Sequence, residues 1–226
     1  MLRLFCFQRG KTVSPTVTRL RFQSKNPERV NVYLDGAFAF SLPAVEAARL
    51  RKGQVLTEEE VQALRDLDAF HRAYERALRF LKYRPRSVWE VRQYLQRKGE
   101  PEERIDAVVA KLQAHRWLDD AAFARLWVEN RQAFRPRGER ALRWELRRKG
   151  VDDATIEAAL AEVDSEAEAV ALALQRAERW KDLDARTFRQ RMLGYLTRRG
   201  FDYAEAVEAT QKAWEALGRG EPPEEM

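Results

Sequence analysis

Three pairs of a basic residue and a glycine, Lys98-Gly99, Lys149-Gly150 and Arg199-Gly200, recur at near-constant spacing and limit the possible folds more than any other feature. Leu95, Leu146 and Leu196 each precede their glycine by the same number of residues, and Ile105/Val108/Val109/Leu112 returns as Ile156/Ala159/Leu160/Val163 at matching offsets beyond it. Both sets follow the i, i+3, i+4, i+7 rule of an amphipathic helix. Upstream, Tyr83-Arg84-Pro85-Arg86 matches Phe134-Arg135-Pro136-Arg137. Each unit therefore reads as three helices: a long first one, a connection through the Arg-Pro-Arg tract, a second ending at the glycine, and a third carrying the aliphatic stripe.

The breakpoints have physical causes. Proline cannot donate a backbone hydrogen bond and pushes its predecessor out of the helical region, so Pro85 and Pro136 mark helix boundaries. Gly99, Gly150 and Gly200 suit a left-handed position just past a helix end, where preceding basic residues complement the helix dipole. Ser87 with Glu90 forms a capping-box pattern, and Asp119 or Asp120 is placed to cap the helix beginning at Ala121. The third unit lacks the Arg-Pro-Arg tract and its stripe is expected at Tyr203, Val207, Thr210 and Trp214. Stacked units of this kind predict an elongated, curved helical array, an architecture that usually binds other macromolecules.

The first part of the chain has a different rhythm. Val17-Thr18-Arg19-Leu20-Arg21-Phe22 alternates, and Val30-Asn31-Val32-Tyr33-Leu34 followed by Asp35-Gly36 and Ala37-Phe38-Ala39-Phe40 is a strong hairpin signal. A three-stranded antiparallel sheet is predicted, with Tyr33, Phe38 and Phe40 on one face and Val32, Leu34 and Ala39 on the other. Both faces are apolar enough to need covering, by a helix over 44–50 and by one opened with the Thr57/Glu60 capping box. The fold class is mainly α: tandem three-helix repeats preceded by this small sheet with short helices. Expected segments are a basic arm at 1–15, the sheet region at 16–69, repeats at 70–118, 119–164 and 165–217, and a flexible tail at 218–226.

Composition narrows the function. The 226 residues include 42 Lys+Arg against 36 Asp+Glu, a formal net charge of +6, which favours an acidic partner such as nucleic acid. Before Asp35, the basic residues Arg3, Arg9, Lys11, Arg19, Arg21, Lys25 and Arg29 are opposed only by Glu28. Charged residues interrupt every apolar stretch, so no membrane span is expected. The single Cys6 excludes an intramolecular disulfide and, with no secretion signal at the start, the expected compartment is the cytoplasm.

The second basic cluster is Arg131, Arg135, Arg137, Arg140, Arg143, Arg147, Arg148 and Lys149, in which Arg140, Arg143 and Arg147 form a ridge on one helix. A ridge of this kind fits a phosphate backbone or the acidic surface of a partner, and equally a solvated helix face with an Arg143/Glu139 pair. Arg84, Arg86, Arg135 and Arg137 beside Tyr83 and Phe134 interleave charge with aromatics, as in sites that stack single-stranded bases. Packing plugs are the favoured role for the two aromatics, and partner contact for the arginines. Tryptophans are assigned to packing, with Trp89 and Trp144 the exposed ones because they fall off the apolar stripes. His115 with Asp119 and Asp120 is better explained by capping than by metal binding, and no phosphate loop or nucleophile triad is present, so neither enzymatic activity nor a cofactor is expected.

Several of these segments together resemble the RecX regulatory proteins: residues 33–40, Leu50-Arg51-Lys52-Gly53-Gln54-Val55-Leu56-Thr57, Tyr83-Arg84-Pro85-Arg86-Ser87 with Glu90-Val91 and Leu95, Leu118-Asp119-Asp120 with Phe123-Ala124, and residues 149–153. The similarity spans about residues 17–217; residues 1–15 have no counterpart in it. It implies a bacterial cytoplasmic modulator of the RecA recombinase, without chemistry of its own, that binds RecA and the RecA–single-stranded DNA filament and suppresses ATP hydrolysis and strand exchange. Under that resemblance the filament or nucleic-acid contacts are Arg84, Arg86, Arg135, Arg137, Arg140, Arg143, Arg147, Arg148 and Lys149, and the protein is expected to act as a monomer. The alternative from the residues alone is an architectural DNA-binding protein that affects recombination by competing for DNA.

Overall fold

A computed structural model describes residues 14–219, so the expected basic arm, with Cys6, lies mostly outside the described residues, as does most of the tail. Three strands, β1 (Val17–Phe22), β2 (Arg29–Leu34) and β3 (Ala37–Pro43), form an antiparallel sheet in the order β1-β2-β3. A short α1 (Ala44–Ala47) and the long α2 (Glu58–Leu81) follow, then α3 (Val88–Arg97) and α4 (Glu102–Ala114). Next come α5 (Asp120–Phe134), α6 (Glu139–Arg148) and α7 (Asp153–Leu160), and finally α8 (Ser165–Ala177), a 3-10 turn at Glu178–Trp180, α9 (Ala185–Arg198) and α10 (Tyr203–Ala216). The described residues divide into two compact units, residues 14–79 with 100–108, and residues 80–99 with 109–219. Because α2 is one uninterrupted helix, the division expected between residues 69 and 70 falls inside it.

In the first unit the hairpin turn behaves as its sequence dictates. Asp35 and Gly36 both have positive φ (48° and 85°), the combination that lets a two-residue turn match the twist of its strands. Leu34 pairs with Ala37 and Tyr33 with Phe38, as expected, but a bulge then pairs Val32 with Phe40 and skips Ala39. One inserted residue reverses every later side chain. Phe40 consequently joins Val30, Val32, Leu34 and Leu42 in the core rather than sharing a face with Phe38. Ala47 of α1, Leu56 just before α2 and Val61 within it close this core, each large buried aliphatic contributing about 1.5–3 kcal/mol. Thr57 and Glu60 form the expected capping box at the start of α2 (3.2 and 2.8 Å). The expected cover of the second sheet face is only partial: α2 buries Arg29 and Ser41 there, Arg29 bonding Asp68 and Glu75, whereas Phe38 stays 58% exposed.

The second unit is helical. Phe123, Ala124 and Val128 of α5 bury against Leu142 and Leu146 of α6 and Ile156 and Leu160 of α7. The predicted stripe of α4 is also buried, at Ile105 and Val108 in the first unit and at Val109 and Leu112 in the second. In the last three helices the packed face of α10 is Ala206, Ala209, Thr210, Ala213 and Trp214, with Tyr203 exposed, so the stripe is rotated from its expected place. Small residues explain it: Ala169, Ala173 and Ala177 of α8 share a core with the alanines of α10, which lets the two backbones approach closely. Aspartates at 119, 152, 164, 184 and 202 each accept an amide at a helix start, Asp202 within a full capping box.

Candidate interaction surface of the helical units

Within the second unit the sequence repeat becomes a spatial one. The start of α3 rests on the end of α6: the Ser87 hydroxyl donates to the Lys149 carbonyl at 2.5 Å, and a Cβ placed on Gly150 would lie 2.3 Å from Cβ of Trp89. The start of α6 rests in the same way on the end of α9. There the Gly138 amide donates to the Arg199 carbonyl at 3.2 Å, and a Cβ on Gly138 would fall 2.3 Å from the Phe201 nitrogen. Gly150 and Gly200 have the positive φ expected of them (74° and 92°), but close approach is a second reason for glycine that periodicity does not reveal. Gly138, which sequence reasoning overlooked, is held by close approach alone.

A charged cluster sits on the first of these junctions. Glu90 completes the Ser87 capping box and accepts both guanidinium nitrogens of Arg84 (2.8 and 3.0 Å) and Nζ of Lys149 (2.9 Å). Burial alone would raise the Glu90 pKa, but hydrogen bonds and attraction from Arg84 and Lys149 outweigh it and hold the value at about 2. Asp120 accepts the Val88 amide at 2.8 Å, capping α3 from across the unit. Its pKa is raised, first by burial and then by neighbouring Asp152, Asp119 and Glu90. Asp119 caps α5, so both carboxylates of the conceivable metal trio are engaged in capping.

The proposed contact arginines separate into two groups. Arg143 makes a double hydrogen bond to Glu157 (2.9 and 2.9 Å) and Arg147 bonds Asp153 at 2.7 Å, so most of the expected ridge is neutralised by α7. Arg140 donates to the Thr197 carbonyl at 3.0 Å. Arg86 lies 4.0 Å from the Phe80 ring, which stacks on Tyr94, and its Nε is buried without a hydrogen bond. Arg148 lies over Trp144 at 4.6 Å. Among the described residues no carboxylate pairs with Arg135, Arg137 or Arg148.

The aromatics of the two tracts overturn an expectation. Tyr83 is 85% exposed and Phe134 77%, so neither is a packing plug. Tyr83 stands just past the end of α2 and Phe134 is the last residue of α5, in each case where the chain turns into Arg-Pro-Arg. Trp89 and Trp144 are exposed as expected, and Trp117, assigned to packing, is more exposed than either. A cleft of about 190 Å³ opens beside Arg84 and Pro85, floored by Phe123, Leu126 and Trp127. Its wall is held by Glu145, which accepts from the Trp127 indole (2.8 Å) and from Arg131 (2.7 Å), a network the sequence reading missed because its members lie on two helices.

A small antiparallel sheet followed by three successive three-helix groups defines a tandem helical-repeat protein. Among the described residues no helix is long and apolar enough to cross a membrane. Three family models match in order: the N-terminal domain of the regulatory protein RecX over residues 15–57, and the RecX first and second three-helix domains over 73–112 and 119–160. The regulatory protein RecX of Bacillus pumilus is 32% identical over 216 residues, covering 93% of this chain and 81% of its own. That of Geobacillus kaustophilus is 36% identical over 198 residues, covering 83% and 73%. A crystal structure of a regulatory protein RecX superposes with a TM-score of 0.71 at 27% identity, covering 90% of this chain and 98% of that one. RecX from Lactobacillus salivarius gives 0.60 at 26% identity, covering 65% and 97%. The chain belongs to the RecX family of regulatory proteins.

Proposed function

We propose that this protein binds the RecA recombinase on its single-stranded DNA filament and lowers ATPase and strand-exchange activity, acting as a cytoplasmic monomer without chemistry of its own. The observation that carries the reading is the pair of exposed aromatics, Tyr83 and Phe134, at equivalent places in successive repeats and each followed by Arg-Pro-Arg. A filament presents the same surface at regular intervals, and a chain that repeats a contact element along its length engages neighbouring protomers at once, gaining avidity without any single strong contact. Arg135, Arg137 and Arg148, with Phe134 and Trp144, are the favoured contacts, because their charge is not taken up by a carboxylate among the described residues. Lys149 and Arg140 bond across successive repeats, and Arg84, Arg86, Arg143 and Arg147 make contacts inside their own repeat, so these six shape that surface. Repeats at 70–118, 119–164 and 165–217 remain our division of the helical part.

The test is the ATPase rate of the cognate RecA, assembled on single-stranded DNA in excess, as this protein is titrated in at near-physiological salt. Suppression well below one regulator per RecA supports action on the filament. Loss of suppression on adding free DNA supports competition for DNA instead. Reversing charge at Arg135 and Arg137 is expected to weaken suppression about tenfold or more with an unchanged circular dichroism spectrum, since aromatic and arginine anchors dominate interfaces of this kind.

A further inference from the structure

Chemistry of a different kind lies in the first unit, on the sheet face that α2 covers only at its Arg29 and Ser41 end, leaving Arg19, Arg21 and Phe38 exposed. The strand register sets out two rows across it: Arg19, Tyr33 and Phe38 in one, Arg21, Asn31 and Ser41 in the other. Strands β1, β2 and β3 contain no acidic residue. Arg19 lies 5.6 Å from the centre of the Tyr33 ring, and Tyr33 meets Phe38 edge to face at 5.9 Å, leaving much of the Phe38 ring open. Among the described residues no carboxylate pairs with Arg19, Arg21 or Lys25.

The second row runs directly into a cleft. Gln23 donates to Asn31 (2.8 Å) and to Ser41 (3.1 Å), and Gln23 and Ser41 themselves line an open hollow of about 310 Å³ with Arg29, Arg72, Arg76 and Arg79. Glu75 is the carboxylate among its lining residues. Arg29 is buried, bonded to Asp68, to Glu75 at 3.1 Å and to the Ser41 carbonyl at 3.2 Å, so it fixes the floor. The outer arginines are held loosely: Arg72 is 3.5 Å from Asp68 and Arg79 3.9 Å from Glu75, both exposed. Arg76 is anchored on Glu100 at 2.6 Å. Contacts that long are weak and yield readily to a doubly hydrogen-bonded phosphate.

We propose that this face binds single-stranded nucleic acid, with a base stacked on Phe38 beside Tyr33, base edges meeting Asn31 and Gln23, and a backbone phosphate held by Arg72 and Arg79. Unstacked bases need a flat aromatic platform and a phosphate needs a cationic hollow one step along the chain, and the two rows supply them in that order. A duplex keeps its bases stacked and does not offer the partner that Phe38 needs. An acidic protein surface would be served by the arginines but would leave the open aromatic row unused. The site is separate from the aromatic and arginine positions of the helical repeats and stands whether or not filament regulation does.

The experiment is fluorescence anisotropy of a labelled oligodeoxythymidylate, of an abasic chain of equal length and of a duplex, titrated with the full-length protein over a range of salt. Binding of the oligothymidylate in preference to the duplex is expected. Phe38→Ala should weaken it about tenfold while leaving the abasic chain unaffected. Arg72→Gln with Arg79→Gln should flatten the dependence of log K on log salt by about one to two for either chain. Absence of binding at low salt overturns the proposal, as do equal affinity for the duplex and a Phe38→Ala effect that is the same on the abasic chain. So does an affinity that survives these variants and falls with Arg135→Glu and Arg137→Glu, which would place the nucleic acid on the repeats. RecA ATPase suppression by the same variants reports separately on the regulatory reading.

Discussion

The two junctions inside the helical unit share a geometry and differ in chemistry. Where α3 meets the end of α6, contact is made by side chains: Ser87, Glu90, Arg84 and Lys149 around one carboxylate. Where α6 meets the end of α9, it is made by the close approach of Gly138 to Gly200 and Phe201, with the guanidinium groups of Arg199 and Arg140 donating to the carbonyls of Pro136 (3.2 Å) and Thr197 (3.0 Å). The register of the repeat is therefore set by how closely two chain segments approach, and the side chains above that contact are free to diverge. A carboxylate-centred cluster and a glycine contact flanked by arginine-to-carbonyl bonds maintain the same step.

The largest effects should come from adding a single carbon to the backbone contact. Gly200→Ala combines a left-handed backbone with a new Cβ only 2.3 Å from Cβ of Ala141, and about 3 kcal/mol or more of destabilisation is expected. Gly138→Ala has no backbone strain, so its expected cost of about 2 kcal/mol measures close approach alone. Gly99→Ala is the control: its φ of 78° is positive but nothing lies within 4 Å, and about 1 kcal/mol is expected. Urea midpoints of the three variants check the order. Equal costs at Gly99 and Gly200 would show that backbone conformation, not contact, fixes the glycines.

At the charged junction the expected loss approaches that of Gly200→Ala. Glu90→Gln keeps the shape but leaves Arg84 and Lys149 without their shared carboxylate. A pKa held at about 2 against an ordinary 4.5 corresponds to about 3 kcal/mol at neutral pH. The folded value is lowered, so this stabilisation is complete above pH 4.5 and disappears as pH falls from there to about 2. The gap in unfolding free energy between wild type and Glu90→Gln should close over that window. A gap unchanged down to pH 2 would remove the ion cluster as its source.

Which parts were legible in the sequence follows from how far the cause lies from its effect along the chain. Helix ends at Pro85, Pro136 and the basic-glycine pairs, the Asp35-Gly36 turn and the capping boxes are local causes, and the structure shows them where the sequence places them. The bulge at Ala39 is not local: it answers to the need to bury Phe40 with Val32 and Leu42, and so it moves a residue the alternation assigns to the other face. The ridge on α6 was read from one helix, whereas the carboxylates that neutralise Arg143 and Arg147 belong to α7. Tyr83 and Phe134 look like core aromatics in a sequence because their exposure is decided by where the turn points, and no spacing rule carries that. Conversely, the absence of acidic residues from the strands is fully visible in sequence, and only the register turns it into a surface.

The smallest expected effect has the opposite sign and separates two carboxylates that are adjacent in sequence. Asp119 caps its own helix, accepting the Ala122 amide at 3.0 Å, so Asp119→Ala should cost about 1 kcal/mol. Asp120 caps α3 while half buried among other carboxylates, and its pKa is raised chiefly by burial, so its negative charge opposes folding at neutral pH. Asparagine retains an oxygen for the Val88 amide and carries no charge. Asp120→Asn should therefore leave stability unchanged or raise it slightly at pH 7. Because the folded value is raised, wild type recovers that difference as pH falls and Asp120 takes up its proton, and the two proteins should converge in acid. Denaturant unfolding of both variants at pH 7 and pH 4 tests it. A substantial loss in Asp120→Asn would mean that the charge itself, and not the hydrogen bond it accepts, holds the start of α3 in place.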